Sequence, residues 1–123
     1  MKILDISQVL NSLTPVWPGS TPFSFRLIWT KEETGSVNVG TITMSAHTGT
    51  HIDAPYHFTD DGSRVSKLPL HSYIGNALVI DVSNYEAISS QALAGIDLTT
   101  VELVLIALPL KIEGADGVLF VRC

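Results

Sequence analysis

Apolar and polar positions alternate most regularly over residues 23–30, where Phe23, Phe25, Leu27 and Trp29 share one parity. That period of two predicts a half-buried strand. Residues 1–10, with Ile3, Leu4 and Ile6, read as a shorter strand. Residues 15–22 contain three prolines and a glycine and predict an irregular loop. Residues 31–35 form a charged turn. Residues 36–46 are strand-like again, but Val37 and Val39 hold one parity while Ile42, Met44 and Ala46 hold the other. A switch of parity near Gly40 predicts a bulge or bend. Further along, residues 76–82 and 103–110 are nearly continuous apolar runs and predict buried strands. Residues 89–94 predict a short helix, and residues 118–121 a last strand after a Gly-rich turn. No internal repeat or low-complexity tract interrupts this order, and the length of 123 residues predicts a single domain over 1–123.

Beyond the bend, Thr41, Thr43, Ser45 and His47 form a polar face that leads into the densest chemistry of the chain. Within residues 47–57 lie three histidines and an aspartate: His47, His51, Asp53 and His57, at spacings of four, two and four. All four are odd-numbered, so an extended segment would point them to one side. A helix, at about 100° per residue, would place Asp53 roughly 200° from His51. Gly49 and Pro55 argue against a helix as well.

A catalytic zinc commonly takes three protein ligands and keeps one position open. His47, His51 and Asp53 provide two imidazoles and a carboxylate, a donor set suited to zinc or manganese. His57, beyond Pro55, is then a spare imidazole for proton transfer near neutral pH. Trp17, set among prolines, is either a core plug or a flat wall for an aromatic substrate. His71 reads as a surface or packing residue, Asp60 and Asp61 as a solvated turn, and Asp81 as the cap of the turn that follows it.

Composition narrows the class. The chain is 46% hydrophobic and 15% charged, with a net charge of −5. It has no basic run, which disfavours nucleic acid and anionic membranes as partners. Cys123 is the single cysteine. With no secretory signal and no apolar run of membrane-spanning length, a soluble cytoplasmic protein is expected.

The string His47-Thr48-Gly49-Thr50-His51-Ile52-Asp53-Ala54-Pro55-Tyr56-His57 resembles the HxGTHxDxPxH signature of the metal-dependent cyclase family. Within that family, Asp5-Ile6-Ser7, Trp17-Pro18-Gly19, Thr21-Pro22-Phe23, residues 35–40, residues 74–82 and residues 106–110 are similar to the bacterial kynurenine formamidases. The resemblance implies an α/β fold, mixed and mostly β, of the swivelling, cyclase-like type. It implies His47, His51 and Asp53 as metal ligands, with Asp53 bridging two zinc ions, His57 as proton donor and acceptor, and Trp17 as a substrate contact. The implied reaction is hydrolysis of N-formyl-L-kynurenine to L-kynurenine and formate, by a homodimer.

Family members are longer and carry a later His and Glu that complete a two-metal site. Here no His follows His71, so the chain reads as a member with an internal deletion, incomplete relative to the family. One fully liganded zinc at most is expected. Glu102 is the candidate substitute carboxylate, though it reads more simply as an ordinary strand residue. The readings that remain beside a formamidase are another amide or lactam hydrolase of the family and a degenerate metal-binding fragment.

Overall fold

The computed structural model describes residues 3–97, 99–100 and 103–121. Glu102 and Cys123 lie outside the described residues. The architecture is mixed and mostly β: seven strands and one short helix among the described residues, with 3-10 turns over Pro55–His57, Val65–Lys67 and Leu70–Tyr73. All strand pairs are antiparallel and fall into three small sheets.

The alternating segment forms β1 (Ser24–Trp29), which pairs with β2 (Val39–Thr43). The register shifts between Leu27 and Trp29, opposite Gly40 and Val39. The bend expected near Gly40 is therefore present, and the extra residue, Ile28, is on the partner strand. The charged turn between the two strands is one helical turn, α1 (Lys31–Thr34). Thr30 accepts a hydrogen bond from the Glu33 backbone, and the Glu33 side chain accepts from the Thr30 backbone in return. These reciprocal bonds satisfy orphan donors at the helix start. They also hold the Glu33 carboxyl below its ordinary pKa.

The sheet that matters for the site is built on β3 (His51–Asp53), β6 (Leu108–Pro109) and β7 (Gly117–Val121). The order is β3-β7-β6, with His51 opposite Leu119 and Asp53 opposite Gly117. A small core of Ala54, Val65 and Val118 sits against it, with Ile52, Leu68 and Ala115 packed around.

Several expectations fail. Residues 3–10 form no strand; the backbone of Gln8 instead donates to Thr50 Oγ1 at 2.8 Å, laying this segment on the loop before β3. The run 76–82 yields only β4 (Ile74–Ala77), paired with β5 (Leu103–Ile106), and residues 78–82 are irregular. The run 103–110 is split at Ala107: residues up to Ile106 pair with β4, Ala107 donates its N–H to the Tyr73 carbonyl at 2.8 Å, and Leu108 and Pro109 pair with another strand. Residues 89–94 make successive i→i−3 turns, not a helix.

Nor is β5 buried: Leu103, Val104 and Leu105 are exposed, as is all of β1. An apolar run signals that some surface will be covered, but does not say which part of a structure covers it. The chain exposes 9563 Å², where a folded monomer of this mass exposes about 6,500 Å².

Candidate metal centre

The four chemistry-bearing residues are not on one strand face. His47 lies in the turn after β2, His51 and Asp53 on β3, and His57 in the 3-10 turn that Pro55 opens. The single extended segment expected from parity is broken at Gly49, whose φ of +67° is left-handed. Glycine adopts that conformation without strain. The turn it makes folds His47 back over β3, so chain reversal, not alternation, brings the groups together.

His47 Nδ1 lies 2.8 Å from Asp53 Oδ1, and His51 Nε2 lies 3.5 Å from the same oxygen. His51 Nδ1 donates to the Gly49 carbonyl at 2.8 Å. That bond orients the ring and turns Nε2 toward Asp53, the usual support of a ligating imidazole. His47, His51 and Asp53 thus place one donor atom each within 4.8 Å of one another. Two imidazoles and a carboxylate around one point are a fitting donor set for a zinc-class ion.

Asp116 completes the cluster, and sequence reasoning missed it. His47 Nε2 lies 3.0 Å from Asp116 Oδ2, and His57 Nδ1 lies 3.4 Å from that oxygen. His47, His57 and Asp116 form a second set of convergent donors that shares His47 with the first. The His47 and His57 rings are 4.2 Å apart. His57, expected as a free imidazole past the ligands, is therefore tied into the cluster. Asp116 is 69 residues from His47 in sequence. It arrives because Ala54 donates its N–H to the Asp116 carbonyl at 2.7 Å, where β7 begins to pair with β3. In sequence it is one aspartate before a glycine, with the look of any turn residue.

The electrostatics follow. Burial alone would lower the His47 pKa, but hydrogen bonds to Asp116 and Asp53 and their negative charge more than offset it, and the value is raised. The hydrogen bond from His47 is the main reason the Asp116 carboxyl falls to about 2. Both shifts report one arrangement: a positive centre is favoured between two carboxylates. Thr48, beside His47, is fully buried, and its hydroxyl has no partner among the described residues.

Trp17 is 81% exposed, which excludes the core plug. Its loop is pinned at Thr21, whose carbonyl accepts from Ser45 two residues before His47. His71 is exposed, Asp60 and Asp61 lie in an exposed turn, and Asp81 caps its turn by accepting from the Ser83 N–H at 2.9 Å.

Gly117 supplies the floor of the site. A Cβ there would overlap the His47 imidazole, and that ring is held on both edges by carboxylates. Gly117→Ala is therefore expected to cost about 1–3 kcal/mol of stability through overpacking, read as a lower melting temperature. The loss should largely vanish in the His47→Ala background, where the ring is gone. A penalty that persists without His47 would show that the conflict lies elsewhere.

A family model described as "Putative cyclase" matches residues 4–118. The chain belongs to the cyclase family. The family is metal-dependent, and this member carries His and Asp groups that can hold a metal. Among its relatives, the kynurenine formamidase of Bacillus cereus (strain ATCC 14579) is 54% identical over 103 residues, 84% of this chain and 49% of the relative. The kynurenine formamidase of Geobacillus thermodenitrificans is 58% identical over 103 residues, with the same coverage. The cyclase chain thus spans about half the length of the curated relatives it matches.

Among solved structures, isatin hydrolase A from Labrenzia aggregata bound to benzyl benzoate aligns with a TM-score of 0.60 at 32% identity, over 68% of this chain and 37% of that one. Isatin hydrolase A from Ralstonia solanacearum aligns at 0.57 and 27%, over 66% and 35%. The mixed, mostly β fold expected from the resemblance is therefore the observed one.

Proposed function

We propose that this chain carries the metal-binding half of a kynurenine formamidase-type hydrolase, whose substrate is N-formyl-L-kynurenine and whose products are L-kynurenine and formate. The observation that carries the reading is the convergence of His47, His51 and Asp53 in a chain 54% identical to a kynurenine formamidase over 103 residues. In this reading those three residues hold a zinc ion. A bound zinc-class ion acidifies water to a pKa of about 7 and polarises a carbonyl.

His57 then moves the protons: it takes one from the attacking water and returns one to the arylamine nitrogen as the formyl C–N bond breaks. Asp116, 3.4 Å from His57 Nδ1, orients that ring and stabilises it when charged. Trp17, exposed on its loop, is proposed as a flat wall for the substrate ring.

The large exposed apolar surface supports assembly as a homodimer. A cytoplasmic location is proposed from the single cysteine. Among the described residues, no helix is long and apolar enough to cross a membrane. The likeness to isatin hydrolases favours, as a second reading, an amide or lactam hydrolase with a different ring substrate.

The test is an assay of the purified chain with added zinc on N-formyl-L-kynurenine and on isatin. Formate release from the first, slower than from a full-length relative, is the expected result. Ring opening of isatin with no formate release would favour the second reading. Inertness toward both would leave a metal-binding fragment.

A further inference from the structure

Away from the metal cluster the chain carries a second concave site. A cleft of about 560 Å³ is lined by Arg64, Ser66, Lys67, Lys111, Glu113 and Gly114. Its volume lies within the range of small-ligand sites, about 300–1,000 Å³. Three of the chain's seven basic residues face it, in a protein of net charge −5. Among the described residues, no ion pair joins Glu113 to these cations.

Arg64 is held in place twice. Its Nη1 donates to the Gly114 carbonyl at 2.8 Å, and its guanidinium lies 3.5 Å from the centre of the Tyr56 ring. A fixed guanidinium flanked by two lysines suits a carboxylate, because the planar fork meets both oxygens without further ordering. Glu113, on the same rim, suits an ammonium.

Both walls are joined by short stretches of chain to residues of the metal cluster. Gly114 is two residues before Asp116, so their Cα atoms are within about 7 Å. Tyr56, under Arg64, immediately precedes His57. Val65, next to Arg64, donates its N–H to the Ala115 carbonyl at 3.1 Å, locking the two walls together.

We infer that the cleft formed by Arg64, Lys67, Lys111 and Glu113 binds the zwitterionic α-amino-acid end of the substrate, carboxylate on the cations and ammonium on Glu113. The inference rests on the proposed kynurenine-type substrate, whose amino-acid head lies at the far end of the side arm from the formyl group.

Binding without turnover tests it, by calorimetry of the full chain with L-kynurenine and with kynurenamine, which lacks only the carboxylate. L-kynurenine is expected to bind the unmodified chain more tightly than kynurenamine. Lys67→Gln/Lys111→Gln, which alters two exposed side chains, should weaken L-kynurenine about tenfold and leave kynurenamine unchanged. Arg64→Gln, checked for an unchanged melting temperature, should do the same.

Equal L-kynurenine affinity in all variants overturns the cleft assignment. L-kynurenine that fails to bind a chain still able to release formate from N-formyl-L-kynurenine also overturns it, and leaves the proposed reaction standing. Absence of both binding and turnover removes the two together.

Discussion

Replacing His51 by alanine is expected to strip most of the zinc from this chain, weakening its affinity by more than about 100-fold. Loss of a residue that only orients a ligand typically costs about 10- to 100-fold, and His51 is proposed as a ligand itself. Its role is legible in one hydrogen bond. Because Nδ1 is engaged by the Gly49 carbonyl at 2.8 Å, Nε2 is the ring nitrogen that faces Asp53, at 3.5 Å, and is the one available to a metal. Alanine removes one of three donors and leaves Asp53 and His47 paired with each other at 2.8 Å, an arrangement that competes with the metal. Elemental analysis of the purified variant, with a zinc titration of the apo chain, measures the effect. Zinc content equal to that of the unmodified chain would show that the ion, if bound, sits in the His47–His57–Asp116 set instead.

His57→Ala should act on rate, not on the first metal. A positioned acid/base group is worth about 10² to 10⁴ in turnover, and His57 is outside the His47–His51–Asp53 set. The ring stands 4.2 Å from His47 and 3.4 Å from Asp116 Oδ2, close enough to serve the site while half exposed to incoming water. The expected outcome is one retained equivalent of zinc with turnover of N-formyl-L-kynurenine reduced by two orders of magnitude or more. If zinc falls in parallel with rate, His57 is a ligand and the proton must be carried by another group. If neither changes, the residue is a bystander.

These expectations depend on features that were legible in the sequence to very different degrees. The His47–His57 window was readable as a candidate site through residue types and spacing, because three imidazoles and a carboxylate stand within eleven positions. The β1–β2 ribbon and its bulge were equally legible. A period of two, and the loss of that period at Gly40, depend only on the local pleat. The capping box at Thr30 and Glu33 is local as well, although the segment read as a plain turn.

What sequence could not deliver was anything requiring a distant partner. Parity suggested that four residues share a strand face. The structure shows a reversal at Gly49, because a left-handed glycine redirects the chain and parity has no meaning across a turn. Asp116 was invisible because nothing local distinguishes it; antiparallel pairing of β3 with β7 carries it to His47. The runs at 76–82 and 103–110 were read as buried, yet β5 is exposed. Hydrophobicity records a tendency to be covered, and only the packing of the whole assembly decides what covers it.

The family, the candidate donors His47, His51, Asp53 and His57, and the β1–β2 pattern were readable along the chain, since each depends on residue identity or on neighbours a few positions away. The tertiary structure decided which donors meet, that His47 stands between two carboxylates, and that Arg64 faces a cleft joined to the site through Gly114. Those are contacts between segments about 50 to 70 residues apart, closed by strand pairing and by the core around Ala54, Val65 and Val118, and no local pattern along the chain encodes them.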